Sequence, residues 1–424
     1  MENIKAVEIV EITKKTPIFK SGEMANAIES ISFKYNDGSN CGYNLISQKD
    51  LYEVGDLAIY IQPDYCLPED IELFDGFIKP NGDPKKSRLG KNGRIRAVKF
   101  NFNFENSTDP IYSFGILLPM DKVTPYITNP DNLQESLKII KYEEPEQQGS
   151  GLIAGGFPGF MYKTDESNWM NVIDKIKEAI AEGEEFGVSW KKDGSSWTQY
   201  TRKVAEGWKQ GICSRNQEKS LDQTFVELYK DADGKEYHRY TLKETGEKGW
   251  INDEDMVFIK DKLAKENLTP ITVEVRDSWV DLAKEGGYLE KTLKYCQDNN
   301  VQLVLRGELC GSELKGSGNK FNPDAKNKAA IMLFGVDSLE SGFSVRNHYG
   351  DVHNLEKVAT ELGLPYIVPE WIKPSSIEEL DEFCQNIFKR EEVEGRIIEG
   401  VVVRSKYSNK ISCKRMYEKY DAVK

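Results

Sequence analysis

The sequence predicts an α+β protein, with a small OB-type β-barrel at the N-terminus followed by a larger domain rich in antiparallel strands. Three observations carry this expectation. Ala6 to Ile12 and Asp56 to Ile61 alternate apolar and polar residues at period two, and turn signals such as Asn36-Asp37-Gly38 and Pro80-Asn81-Gly82-Asp83-Pro84 lie between the short strands. Glu143 to Gly151 is a polar run without periodicity, which reads as a linker (143–151) between domains at 1–142 and 152–424. Beyond it, helical spacing at Asn171–Glu182, Leu282–Asp298, Leu355–Leu362 and Ile377–Lys389 is mixed with other patterns. Strand-like runs occur at Glu185–Lys191, Thr224–Tyr229, Val301–Glu308, Ala330–Gly335 and Ile397–Arg404.

Composition narrows the function classes. With 39% hydrophobic and 30% charged residues over 424 positions, the chain is neither disordered nor membrane-embedded. The start Met1-Glu2-Asn3-Ile4-Lys5 lacks the features of a signal peptide, and no apolar stretch is long enough to span a bilayer. The expectation is a cytoplasmic monomer with no membrane and no obligate protein partner. Seven cysteines, scattered and never in a Cys-x-x-Cys pair, exclude a disulfide framework or zinc knuckle and fit a reducing compartment. None of the three histidines, His238, His348 and His353, stands in a His-Glu-x-x-His frame, so catalysis is expected to run on lysines, arginines and carboxylates.

The net charge of −13 argues against nucleic-acid binding only if it is evenly spread. Between Lys79 and Lys99, however, Lys85, Lys86, Arg88, Lys91, Arg94 and Arg96 face a single acid, Asp83. Lys85, Lys86, Arg88, Arg94 and Arg96 are the candidate phosphate-gripping residues, with a solvated loop as the equal alternative.

The candidate nucleophile is Lys191. In Phe186-Gly187-Val188-Ser189-Trp190-Lys191, alternation places Phe186, Val188 and Trp190 on one face and Lys191 on the other, just before a turn through Asp193-Gly194. A lysine is a poor nucleophile at neutral pH unless cations or desolvation depress its pKa of about 10.4. Alone, the tetrapeptide Lys191-Lys192-Asp193-Gly194 is better explained as a plain hairpin turn with an exposed lysine.

An ordered series follows it: Ser214-Arg215-Asn216, Arg306-Gly307-Glu308-Leu309, Met332-Leu333-Phe334-Gly335-Val336-Asp337, Glu399-Gly400-Val401-Val402-Val403-Arg404 and Ile411-Ser412-Cys413-Lys414. This series resembles the covalent nucleotidyltransferase superfamily of ATP-dependent ligases and mRNA capping enzymes. The β-rich module precedes the motifs, and only ten residues follow Lys414. That order resembles a family of ATP-dependent RNA ligases with an N-terminal OB domain and a C-terminal adenylyltransferase domain. Gly55 to Asp64, Arg94 to Lys99, Ser113 to Pro119 and Tyr162 to Glu166 are similar to that family as well.

The resemblance implies an antiparallel-sheet-rich nucleotidyltransferase domain (an ATP-grasp-like ligase adenylation fold) that seals RNA ends or nicks bearing a 3′-OH and a 5′-phosphate. Lys191, Asp193, Arg215 and Lys414 are then catalytic. ATP is held by Lys191, Arg215, Glu308, Phe334, Glu399 and Lys414, with Phe334 stacking on adenine or serving only as core. Mg²⁺ or Mn²⁺ is held by Asp193, Glu308 and Glu399, three acids that repel one another unless a cation sits between them. The partner is RNA, as a nicked duplex or broken ends. DNA ligation, GTP-dependent capping and a non-catalytic nucleic-acid-binding protein of the same fold are the alternatives. The basic segment tracks nucleic acid or reaches the outgoing pyrophosphate.

Some residues depart from the pattern. Trp190 stands where an acid is frequent, no arginine follows Glu166 in Ser167-Asn168-Trp169, and Lys414-Arg415-Met416 lacks a second lysine, for which Arg415 and Lys410 are the candidate substitutes. Asp231-Ala232-Asp233-Gly234 is expected to be a hairpin turn rather than a calcium loop, because the downstream glutamate is missing. Gly151–Gly159 has no Gly-Lys-Ser/Thr ending, which excludes a P-loop.

Overall fold

The computed structural model describes residues 6–107, 110–142, 152–242, 245–260, 268–312, 314 and 323–423. The linker expected at 143–151 lies outside them. Near the N-terminus, β1 (Val7–Thr16), β2 (Ile28–Tyr35), β3 (Leu45–Gln48), β4 (Leu57–Ile61) and β5 (Ile116–Pro119) form one antiparallel sheet in the order β5-β4-β1-β2-β3. Its two ends approach each other. The Phe114 N–H donates to the Asn44 carbonyl at 3.0 Å and the Ile46 N–H to Ser113 Oγ at 2.9 Å, so the sheet is barrel-like and nearly closed.

The period-two pattern of β1 has a consequence on both sides. Val10 and Ile12 pack inward with Ile31, Phe33 and Tyr60. Val7 and Ile9 pack outward under Ile71, Phe74, Val123 and Leu137. Burial of both faces explains why this strand stays apolar on each side of its polar positions.

The remainder is mixed α and β. Its central strands are β6 (Phe186–Lys191), β7 (Ser195–Val204), β8 (Leu303–Cys310), β9 (Ala330–Ser338), β10 (Gly400–Ser405) and β11 (Ser412–Met416). One seven-stranded sheet contains β7, β8 and β9 as neighbours, flanked by strands from Ile153–Gly156, Gln217–Lys219, Gly207–Cys213 and Val345–Arg346. A second, five-stranded sheet runs Ser167–Asn168, β11, β10, β6, Glu370–Ile372. Every pair in it is antiparallel except Ser167–Asn168 on β11.

Each sheet buries one face against helices, and on the other face of the seven-stranded sheet Tyr200, Cys213 and Val304 pack with Met161 and Phe160. Trp197, Leu303, Leu305, Leu309 and Leu333 pack with residues of the helices Ser278–Glu285, Tyr288–Asn299 and Leu355–Leu362. Phe186, Val188, Val401, Val403 and Cys413 pack with the helices Ile173–Ala181 and Ile377–Val393. Full burial of a side chain such as Phe186 contributes about 2–3 kcal/mol. A third sheet, five-stranded and antiparallel between Thr224 and Glu274, with its last strand returning beside its first, joins the two halves of the seven-stranded sheet in sequence.

Two local outcomes differ from the sequence reading. The helix expected over Leu282–Asp298 is two helices, because Gly286-Gly287 interrupts it and Gly287 sits at φ +68°, where a side chain is disfavoured. And Lys191-Lys192-Asp193-Gly194 is no hairpin: β6 belongs to the five-stranded sheet and β7 to the seven-stranded one, so the chain crosses between sheets there. The turn at Asp231 does close a hairpin, with Asp231 Oδ1 accepting from the N–H groups of Asp233 and Lys235.

Candidate active site

At the seam of the two sheets lies a cavity of about 590 Å³. Lys191, Asp193, Arg215, Glu308, Phe334, Glu399 and Lys414 all line it. These residues span more than two hundred positions of sequence, and the fold brings them to one chamber. The N-terminal region closes one side with Asp64, Arg94, Lys141 and Tyr142.

Strand alternation aims the lysine. Phe186 and Val188 belong to the core and Trp190 packs against it, whereas Ser189 and Lys191 line the cavity. Lys191 pairs with Gly400 across β6 and β10, which sets Glu399 beside it, and Lys191 Nζ donates to Glu399 Oε2 at 2.6 Å. Glycine is needed twice here. A Cβ on Gly400 would lie 2.5 Å from the Arg415 carbonyl oxygen, and one on Gly194 would lie 2.4 Å from that of Leu309. Those close approaches bring the strand carrying Glu308 against the turn after Lys191.

Asp193 is buried and accepts a hydrogen bond from the Tyr420 hydroxyl. Among the described residues, no group of three His, Cys, Asp or Glu side chains is close enough to hold a metal ion. The three acids expected to converge, Asp193, Glu308 and Glu399, share the cavity wall without forming a direct ligand set. Asp193 is engaged by Tyr420 and Glu399 by Lys191.

Two cations of the cavity make only long ion-pair contacts. Arg215 Nε is buried without a hydrogen-bond partner, and its Nη2 lies 3.8 Å from Asp165, which also pairs with Lys141. Lys414 Nζ is 3.7 Å from Asp64 Oδ2. Lys192, next to Lys191, is instead tied to Asp324 at 2.9 and 3.1 Å.

Phe334 is half-buried on β9, between the fully buried Leu333 and the half-buried Gly335. Its ring faces the cavity, and Arg404 stands 5.6 Å from its centroid while donating to its carbonyl oxygen at 3.1 Å. Arg404 is held by Glu166 at 2.8 Å, and Glu166 also accepts from Arg346 at 3.1 Å and Ser412 at 2.5 Å. Burial pushes the Glu166 carboxyl up, but Arg404, Arg346 and Ser412 outweigh it and bring it down to about 2.

Sequence reasoning left Asp64, Lys141, Asp165, Glu166 and Arg404 without roles in this cavity. For Arg404 a signal existed: on β10, Val401 and Val403 are core, so position 404 shares the cavity face with Val402. Among the described side chains of the basic segment, only Arg94 turns into the cavity, where it stacks on Tyr142 at 4.8 Å. Lys85, Lys86 and Arg88 are exposed, and Arg96, partly buried, donates from Nε to the Arg88 carbonyl at 3.3 Å.

Neither proposed substitute for a second lysine reaches the site. Arg415 alternates to the opposite face of β11 and is buried against Asp381 and Glu418, and Lys410 pairs with Glu182. Met416 is the β11 residue that lines the cavity beside Lys414.

No protein-family model matches the chain, and no curated protein matches it in sequence. Solved structures do match in fold. Naegleria gruberi RNA ligase with PPi superposes with a TM-score of 0.63 at 21% identity, covering 98% of this chain and 97% of that one. A mutant of the same ligase with ATP and Mn gives a TM-score of 0.62, and another with AMP and Mn gives 0.63. Both are 21% identical to this chain, with 98% of each chain covered. The chain shares their fold.

Proposed function

We propose that the chain is an ATP-dependent RNA ligase acting through a lysyl-adenylate on Lys191. The observation that carries this is the position of Lys191, which projects into a cavity at the seam of two sheets, hydrogen-bonded to Glu399 and facing the same space as Arg215 and Lys414. The solved structures that share the fold are RNA ligase structures holding ATP, AMP or PPi. On this reading residues 1–142 form an OB-type accessory domain, 143–151 a linker and 152–424 the adenylyltransferase domain. The protein works as a monomer in the cytoplasm, a reading that the seven free, buried cysteines support.

The chemistry follows from the side chains. Lys191 Nζ attacks the α-phosphorus, its bond forms as the bond to the β-phosphate oxygen breaks, and pyrophosphate leaves. Glu399 Oε2, 2.6 Å from Nζ, is the acceptor within reach of the proton that the amine must lose. Arg215, with its buried unpartnered Nε, and Lys414 stabilise the charge on the phosphates. Phe334 stacks on the adenine. The AMP then passes to a 5′-phosphate on RNA, and a 3′-OH displaces it to form the phosphodiester.

The cavity wall offers carboxylate oxygens, which suit Mg²⁺ or Mn²⁺. Asp193, Glu308 and Glu399 would hold such an ion through its waters, because they do not form a direct three-acid set. When bound, the ion supplies positive charge that favours the unprotonated amine and neutralises phosphate.

Incubation with α-labelled ATP is expected to label the protein, and Lys191→Ala to abolish the label. A mutant that labels as well as the wild type would overturn the assignment. Replacing ATP by GTP in the same assay, and RNA by DNA strands in nick sealing, fixes the nucleotide and the polymer.

A further inference from the structure

Asp64 is a carboxylate at an unexpected place. It belongs to the N-terminal region, yet it lines the cavity together with Lys191 and Lys414. Its two oxygens are divided between two cations. Oδ1 accepts from Arg94 Nε at 3.1 Å and Nη2 at 2.5 Å, and Oδ2 lies 3.7 Å from Lys414 Nζ.

The backbone fixes that aim. Asp64 sits at φ +67°, a left-handed conformation that costs a non-glycine residue free energy and that aspartate and asparagine tolerate best. Two backbone hydrogen bonds hold it there: its N–H donates to the Ile95 carbonyl at 2.9 Å, and its carbonyl accepts from the Tyr142 N–H at 2.9 Å. Burial pushes the carboxyl up, but Lys414, Arg94 and Lys191 outweigh it and leave it below its ordinary value, so the group is an anion at neutral pH.

We infer that Asp64 stands in for a nucleotide phosphate: in the nucleotide-free protein its Oδ2 neutralises Lys414, and an incoming triphosphate must displace it. This rests on the ligase reading, in which Lys414 is a phosphate ligand. Phosphates bound at Lys414 compete with Asp64 for its charge, and a carboxylate beside bound phosphates repels them. Arg94 keeps Oδ1 in either state, so the exchange requires only that the 3.7 Å contact open. The N-terminal region thereby sets the nucleotide concentration at which the enzyme loads.

The test is nucleotide binding and loading by Asp64→Asn, which keeps the shape and tolerates the left-handed backbone. Binding is read from the fluorescence of Trp190 and Trp279, which both line the cavity, and loading from the rate of covalent labelling against ATP concentration. A partly exposed pair of this kind predicts that the apparent KM for ATP and the dissociation constant both fall about two- to fivefold, with the maximal labelling rate changed less than about twofold. Asp64→Glu restores the wild-type values within about twofold. In a Lys414→Ala background the effect of Asp64→Asn on ATP binding is smaller than in the wild type, because the ion pair is already gone and only the repulsion between Asp64 and the phosphates is left to relieve.

A rise in KM, or a collapse of the maximal rate in Asp64→Asn with ATP binding unchanged, overturns the inference, as does an equal effect of Asp64→Asn with and without Lys414. If the wild type binds ATP but never becomes labelled, the ligase reading fails by itself, and the binding comparison still decides the role of Asp64.

Discussion

Charged groups at the cavity and charged groups in the packed interior beside it are built differently. On the same face of β8 as Glu308, Arg306 is fully buried and saturated: Nε and Nη2 donate to Asp337 at 2.9 and 2.7 Å, Nη2 reaches Ser344 Oγ at 3.2 Å, and the guanidinium lies over the Tyr162 ring at 4.6 Å. In the cavity, Arg215 keeps a buried Nε with no partner and touches Asp165 only at 3.8 Å. Lys414 holds Asp64 at a similar distance. A cation whose donors are all spent fixes structure, whereas one with donors in reserve is built to receive something.

The widest separation of the two regions comes from pairing two substitutions. Lys191→Ala, the change that ends labelling, is expected to leave urea unfolding within about 1 kcal/mol of wild type, since the lysine is partly exposed. Arg306→Met removes the guanidinium paired with the buried Asp337 and is expected to cost about 3–5 kcal/mol in the same measurement. If Arg306→Met unfolds like the wild type, saturation is not a guide to structural role.

Glu166 stands on the border, lining the cavity while carrying the saturated pattern. Its carboxyl is brought from the ordinary glutamate range down to about 2 by Arg404, Arg346 and Ser412 in spite of burial. A group depressed on folding contributes stability that is fully present above its unfolded value of about 4.5 and is lost as pH falls toward 2. Wild-type stability is therefore expected to fall through that window by on the order of 3 kcal/mol from this group. In Glu166→Gln that share of the pH dependence disappears, because stability at neutral pH is already lower. Parallel acid-unfolding curves for the two proteins would show that Glu166 is not held as the geometry indicates.

Much of this was legible in the chain. Alternation in β6 gave the facing of Lys191 and the core role of Phe186 and Val188, since a strand's period is local. The destination of the turn after Lys191 was not legible. Whether Asp193-Gly194 folds back or crosses to a second sheet depends on β8, more than a hundred residues away, against which Gly194 packs. The same holds for Asp64, whose partner Lys414 lies at the other end of the sequence. The break at Gly286-Gly287 was available as a paired-glycine signal, but the apolar spacing on either side continued through it. Arg94 and Lys85 looked alike as members of one basic run, and only the fold turns the first inward and leaves the second on the surface.

That last distinction predicts the smallest effect. If exposed Lys85, Lys86 and Arg88 track an RNA backbone, replacing all three by alanine weakens RNA binding several-fold at physiological salt. It also flattens the dependence of log affinity on log salt by about two to three, one phosphate contact per lost charge. Covalent labelling with ATP should not change, because none of the three lines the cavity. Should labelling fall while the salt slope stays, the segment serves the leaving pyrophosphate and not RNA. The surface cations would then belong functionally with Arg94, in spite of their separation from it in the fold.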